Sequence, residues 1–151
     1  MQSATFFEAL AHILPAECLK TAAEDMRPYE CDGLSMYRAL PKCVALPENE
    51  GQLAAVMKLC HAHRVPVVAR GAGTGLSGGA MPDPNALLLS TAKMMRILDV
   101  DGLACTARVQ PGVRNLAISE AVAPLGLYYA PDPSSQIACS IGGNVAENSG
   151  G

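Results

Sequence analysis

Five glycines fall within ten residues in the run Arg70-Gly71-Ala72-Gly73-Thr74-Gly75-Leu76-Ser77-Gly78-Gly79. Backbone that must take a positive φ, or lie against a ligand with no Cβ in the way, calls for glycine. Successive exposed N–H groups in such a turn form a concavity for anions. Thr74 and Ser77 add small hydroxyls, and Arg70 at the entrance can serve a phosphate or pair with a carboxylate. A plain surface loop is also rich in glycine. The apolar run Val65 to Ala69 feeds straight into this one, however, and argues for a shaped site.

Two phosphate-binding motifs compete for the segment, and both fail on context. Gly73, Gly75 and Gly78 fit G-x-G-x-x-G, with Asp99 or Asp101 at about the distance a dinucleotide fingerprint requires. That fingerprint needs a helix opening at the third glycine. Here Gly79-Ala80-Met81-Pro82-Asp83-Pro84 follows, and its prolines leave no room for one. A Walker A loop needs Lys and Ser/Thr where Gly79 and Ala80 stand. What remains is a mostly uncharged loop that contacts a diphosphate through backbone N–H groups, which fits a dinucleotide better than a triphosphate.

Two later loops have similar chemistry. Pro131-Asp132-Pro133-Ser134-Ser135 is stiffened by its prolines, so it positions polar groups at low entropic cost; Asp132 alternatively just caps the turn. In Ile141-Gly142-Gly143-Asn144-Val145-Ala146-Glu147, a diglycine precedes Asn144, which is expected to cap a helix. That combination makes an anion or carbonyl-oxygen site, or a purely structural turn and cap. Three such loops in one small domain point to one extended ligand gripped at several places.

The elements that must hold these loops are legible from periodicity. Residues 2–27 have helical composition, interrupted by Pro15 and ended by Pro28, and 29–46 is irregular up to a short strand over Cys43 to Leu46. Asn49 caps the next helix with Gln52 at the capping-box position, and Leu53, Val56, Met57 and Cys60 form its buried face. Val65 to Ala69 is expected as a buried strand. Ala86 to Leu89, Ile97 to Val100 and Leu103 to Val109 follow as short strands, the last two joined by Asp101-Gly102 as a hairpin turn. Pro111-Gly112 turns the chain into a helix over Val113 to Ala123, with Ile118, Ala121, Val122 and Leu125 on one face and Gly126 near its end.

Composition narrows the function classes. The 151 residues are 50% hydrophobic and 17% charged, enough for one globular domain, and contain neither an internal repeat nor a low-complexity tract. A net charge of −3 provides no basic field for nucleic acid. No basic n-region opens the chain, and no run approaches the roughly 20 apolar residues that span a bilayer. The expectation is a cytosolic protein, or one held at the inner membrane face through a partner. Cys18, Cys31, Cys43, Cys60, Cys105 and Cys139 include no C-x-x-C pair, so buried reduced thiols are expected rather than a zinc or iron–sulfur site. His61 and His63, two apart on a helix, are expected at the surface and not as a metal pair.

The runs VVARGAGTGLSGGA, ARVQPGV, YYAPDPSSQIACS and SIGGNVAENSGG together resemble the FAD-binding domain of the vanillyl-alcohol oxidase and p-cresol methylhydroxylase superfamily. Within it, residues 28–151 are most similar to the FAD-linked subunits of bacterial glycolate oxidases, relatives of the D-lactate dehydrogenases. The resemblance implies an α+β fold: an FAD-binding domain of two small α/β subdomains, incomplete at its C-terminus, following a helical extension over 1–27. FAD would extend between the subdomains, its pyrophosphate lined by Arg70, Gly71, Ala72, Gly73, Thr74, Gly75, Leu76, Gly78 and Gly79. Pro111, Gly112 and Val113 would sit near the dinucleotide, while Pro131, Asp132, Pro133 and Ser134 with Gly142, Gly143 and Asn144 would complete its walls.

In this family the flavin takes a hydride from the α-carbon of a 2-hydroxy acid, which for glycolate gives glyoxylate. The resemblance implies that the electrons leave through an iron–sulfur partner subunit, in a glycolate oxidase complex that also holds a second flavin-domain subunit. Thr74 matches the position where some relatives attach FAD to a histidine, so the flavin here is expected to be non-covalent. Family members run several times longer, so the catalytic His and Arg residues are expected beyond Gly151 and no catalytic residue is assigned within this chain. D-lactate or another 2-hydroxy acid is the alternative substrate, and a non-catalytic flavin-nucleotide-binding fragment is the alternative role.

Overall fold

A computed structural model describes residues 5–151, so residues 2–4 of the expected N-terminal helical stretch lie outside it. The first half of the chain builds a four-stranded sheet in the order β1-β2-β4-β3, from β1 (Leu19–Lys20), β2 (Cys43–Ala45), β3 (Val67–Arg70) and β4 (Leu87–Ser90). β2, β4 and β3 run parallel, and β1 pairs antiparallel with β2 through Leu19 with Ala45 and Lys20 with Val44. A parallel sheet is covered on both faces, which is why β2 and Leu87 to Leu89 of β4 are continuous apolar runs. Every residue of both strands is buried.

Two helices cover this sheet, α1 (Phe6–Ile13) and α3 (Glu50–His63). Phe6, Leu10 and Leu14 from the first segment meet Val56 and Cys60 of α3 and Val44, Leu87 and Leu88 of the sheet in one core. Asn49 caps α3 as its sequence requires, accepting from the Gln52 N–H at 3.0 Å. Gln52 reaches back one residue further than a capping box does, accepting from the Glu48 N–H at 2.8 Å. The buried face of α3 is narrower than its periodicity implies: Leu53 is half-buried and Met57 is exposed, because the helix meets the sheet along a thin stripe.

Three further expectations need correction. The segment after Pro15 is not one helix: a 3-10 turn (Ala16–Cys18), strand β1, the four-residue helix α2 (Ala23–Met26) and a second 3-10 turn (Arg27–Tyr29) replace it. Pairing with β2 overrides the helical composition there. β3 begins at Val67 and is only half-buried, since it is an edge strand. The thiols are all free, yet Cys31 is half-buried and Cys105 exposed, so burial holds for only four of the six.

The second half holds a smaller, separate group of buried residues: Met94, Val113, Ile118, Val122 and Cys139. Its hairpin joins β5 (Ile97–Asp101) to β6 (Thr106–Val109). The turn is longer than Asp101-Gly102. Asp101 Oδ1 accepts from the N–H groups of Leu103 and Ala104, both at 2.9 Å, and Cys105 takes φ 52° before β6 starts. Leu103 is therefore fully exposed in the loop rather than in a strand. α4 (Asn115–Val122) buries Ile118 and Val122 but leaves Ala121 and Leu125 exposed, and Gly126 ends this segment at φ 72°. α5 (Ile141–Ala146) is the last element.

Burial of Cys43 between strand and helix pushes its thiol from its ordinary value near 9 up to about 12, and nearby Cys60 acts in the same direction. An unfolded thiol ionises earlier, so folding stability must fall as pH climbs between about 9 and about 12. Urea unfolding across that window should show the fall, and Cys43→Ala should flatten it. Leu88→Ala, in the central strand with no exposure, should cost about 2–5 kcal/mol in the same assay.

Candidate functional site

The Gly-rich segment is the crossover from β3 to the adjacent parallel strand β4. Such a crossover usually contains a helix. This one contains none between Arg70 and Leu87, in agreement with the proline argument. Gly73 (φ 72°) and Gly78 (φ 78°) take left-handed backbone at two bends of the run. From Gly71 to Ala80, no backbone N–H finds a partner among the described residues. Buried N–H groups are nearly always paired, so a run of free donors survives only where solvent or a ligand takes them.

The structure brings the Ser140–Gly143 turn to this loop, while the Pro131–Ser135 loop is tied to Asn115 and Gly150. Gly71 packs so closely on Ser140 Oγ that any side chain would collide with it, and Gly143 Cα lies 3.7 Å from the same point. Gly142 abuts Pro111: a Cβ would stand 2.9 Å from the Pro111 carbonyl oxygen. The backbone knits these turns together, with Gly142 N–H donating to Pro111 O at 2.9 Å and Ile141 N–H to Val113 O at 2.8 Å. Gly112 donates to Met94 O at 2.8 Å and lies against the Thr91 carbonyl, which fixes the Pro111–Val113 turn from behind. Pro131 O accepts from Asn115 Nδ2 at 3.0 Å, and Asp132 N–H donates to Gly150 O at 3.2 Å. Pro133 is buried, while Asp132 and Ser134 face solvent. The Asp132 carboxylate accepts no hydrogen bond among the described residues, so it does not cap its turn.

Asn144 is not a helix cap. α5 opens three residues earlier, with Ser140 at its N-cap, and places Asn144 inside the helix at 8% exposure. The diglycine is thus the first turn of the helix, where the missing Cβ of Gly142 lets α5 approach Pro111. Ser140 Oγ and Asn144 Nδ2 are both buried and without a hydrogen-bond partner. A buried unpaired polar atom costs about 1–3 kcal/mol. Ser140 Oγ, packed on Gly71, is unused hydrogen-bonding capacity beside the glycine crossover, and Asn144 Nδ2 lies one helical turn further along α5.

Charge divides the loop. Glu147 accepts from Ser77 Oγ at 3.0 Å, and its other carboxylate oxygen fills the place a Gly79 side chain would take. A carboxylate at the Ser77–Gly79 end leaves Gly71 to Leu76 as the stretch open to an anion. Arg70 faces no carboxylate within ion-pair distance among the described residues; its Nη1 donates instead to Cys31 O at 2.7 Å. The surface hollows of about 500 and 100 Å³ line the hairpin and α4 and include none of these loop residues.

Sequence reasoning missed Ser140, Glu147 and the strap Tyr29–Leu34. A Cβ on Gly33 would stand 2.8 Å from Thr74 O and 2.7 Å from Gly75 O, so this strap runs directly behind the loop. Asp32-Gly33 was its one local signal, and it is a turn signal in any context. His61 and His63 are exposed, His63 with its ring 5.5 Å from that of Phe6. Among the described residues no His, Cys, Asp and Glu group is placed to hold a metal, and no helix is long and apolar enough to cross a membrane.

A helix-free glycine crossover with unpaired donors, braced by the Ser140–Gly143 turn in an α+β frame, defines a dinucleotide-binding domain. The chain belongs to the FAD binding domain family, whose model matches residues 41–151, and its cofactor is FAD. It is 62% identical over 140 residues to the glycolate oxidase subunit GlcD of Escherichia coli (strain K12), covering 93% of this chain and 28% of that protein. It is 36% identical over 143 residues to a D-2-hydroxyglutarate dehydrogenase of Xanthomonas citri pv. viticola, covering 95% and 30%. The chain therefore spans under a third of these relatives. A crystal structure of p-cresol methylhydroxylase with substrate bound shares the fold, with a TM-score of 0.71 at 21% identity over 83% of this chain and 26% of that one.

Gly142→Ala should destabilise the fold by about 1–3 kcal/mol through its clash with Pro111, as overpacked sites do. Gly75→Ala, with nothing within 4 Å of the added Cβ, should shift stability by less than about 0.5 kcal/mol. Paired urea titrations compare the two.

Proposed function

We propose that this chain is the pyrophosphate-gripping part of an FAD-dependent oxidoreductase subunit that oxidises a 2-hydroxy acid, glycolate to glyoxylate. The observation that carries the proposal is the run of unpaired backbone N–H groups from Gly71 to Ala80 on a helix-free crossover. Backbone dipoles of this kind neutralise a diphosphate without a lysine and without reorganisation on binding. In this reading Gly71, Ala72, Gly73, Thr74, Gly75 and Leu76 hold the pyrophosphate, with Gly78 and Gly79 completing the bend. Ser140 Oγ and Asn144 Nδ2 supply two further hydrogen bonds from the α5 side. Pro111, Gly112 and Val113, together with Gly142 and Gly143, form a rigid wall, and Pro131, Asp132, Pro133 and Ser134 form the other side.

Bound FAD supplies a two-electron acceptor for the hydride on the substrate's α-carbon. The contribution of this chain is to orient that group and exclude water along its diphosphate. Residues 70–79 include no histidine, cysteine or tyrosine that could form a covalent link, so Thr74 contacts the cofactor non-covalently. The substrate assignment rests on the similarity to the glycolate oxidase subunit, and the D-2-hydroxyglutarate dehydrogenase similarity favours other 2-hydroxy acids as the second reading. The same similarity supports a subunit complex, and the proposal extends it to an iron–sulfur partner and a second flavin-domain subunit at the cytoplasmic face of the membrane.

Acid precipitation of the purified protein should release FAD into the supernatant, and colourless supernatant over a yellow pellet would contradict non-covalent binding. Dye reduction should be faster with glycolate than with D-lactate or D-2-hydroxyglutarate; the reverse order would move the assignment to the second reading. Gly75→Leu should retain wild-type stability, since its side chain meets open space, yet lose flavin. Unchanged flavin content in that variant would remove the loop from the site.

A further inference from the structure

Arg70 is the only cation in the Gly-rich run, and a cation beside a diphosphate is ordinarily assigned to the phosphate. Its surroundings point elsewhere. Nη1 donates to Cys31 O at 2.7 Å, and the guanidinium carbon lies 5.7 Å from the centroid of the Tyr29 ring. The guanidinium occupies the space that a side chain on Gly73 would need, with Nε 2.9 Å from that Cβ position. It is therefore enclosed by an aromatic ring, a carbonyl oxygen and the backbone bend at Gly73.

The strap that supplies Tyr29 and Cys31 continues beneath the loop. Asp32 Oδ1 accepts from Leu34 N–H at 2.9 Å and fixes the strap's turn. Gly33 then lies against the carbonyls of Thr74 and Gly75. Gly73 has φ 72°, a conformation that glycine tolerates, and its lack of a Cβ leaves that space to the guanidinium. A planar guanidinium can stack on a ring and donate in its own plane at the same time, which an ammonium cannot do.

Building on the proposed pyrophosphate role of this loop, we infer that Arg70 is a positioning residue: Tyr29 and Cys31 hold its side chain so that it supports Gly73 and sets the loop's curvature. It makes no contact with the diphosphate. The loop's affinity for an anion then comes from its N–H groups, and the strap Tyr29–Leu34 is the template that aims them.

The test is FAD affinity across a salt series, measured by flavin fluorescence on the reconstituted protein, for wild type, Arg70→Lys, Tyr29→Leu and Tyr29→Phe. Arg70→Lys keeps the charge and should still weaken binding about tenfold, the equivalent of one lost charge-assisted hydrogen bond, with the wild-type salt slope intact. Tyr29→Leu should weaken binding similarly, Tyr29→Phe should restore it, and the Lys/Leu double variant should lose less than the sum. Wild-type affinity in Arg70→Lys, or additive losses in the double variant, would overturn the inference and return Arg70 to the phosphate. If Arg70→Lys fails to fold, as judged by circular dichroism, the Tyr29 pair decides: Tyr29→Leu binding FAD as wild type does would also overturn it. A wild-type protein that binds no FAD would instead defeat the functional proposal on which this rests.

Discussion

Strand β4 lies between β2 and β3, and the chain leaving Arg70 must return across the sheet to reach it. In most parallel pairs a helix makes that return and satisfies its own backbone along the way. Here residues 71–86 make it without one. The cost of that topology is a run of N–H groups that the protein itself does not pair, and the same run is what we propose holds a diphosphate. The fully buried ladder of Cys43, Val44 and Ala45 against Leu87, Leu88 and Leu89 anchors both ends of the crossover. Binding capacity and fold stability therefore depend on the same pairing.

An unpaired loop has to be held in shape from outside, and close packing of glycines does this. Gly71 meets Ser140, Gly142 meets Pro111, Gly112 meets Thr91 and Met94, and Gly33 meets Thr74 and Gly75. At Gly142, Gly112 and Gly33 the absence of a Cβ lets two backbone segments approach directly, and at Gly71 it admits the Ser140 hydroxyl. Gly75 is different: nothing protein-derived lies within 4 Å of where its Cβ would stand, so its missing side chain leaves room outside the fold. Glycines that serve packing and a glycine that opens onto free space thus stand a few residues apart, and their substitutions are expected to act on different observables.

The electrostatics of the loop are almost entirely those of its backbone. Glu147 closes one end with a carboxylate, and the lone arginine is turned toward Tyr29 and Cys31. A site that works by oriented dipoles rather than by free charges suits a cofactor that stays bound, because the donors are already in place before the anion arrives.

Much of this was legible in the sequence. Prolines 82 and 84 excluded a helix after the glycines, the spacing of Val56 and Cys60 marked the buried face of α3, and the motif combination identified the FAD-binding family. These are local matters, settled by backbone sterics and periodicity within a few residues. Other features are consequences of distant contacts. Leu19 and Lys20 form a strand only because β2 offers an edge, Asn144 sits inside α5 because Ser140 rather than Asn144 ends the preceding bridge to Arg114, and Cys105 stays exposed because the hairpin turn is longer than its Asp-Gly signal. That Arg70 meets Tyr29, and Ser77 meets Glu147, was decided by tertiary structure alone: neither partner lies within reach along the chain, and only the folding of strap and helix onto the crossover brings them together.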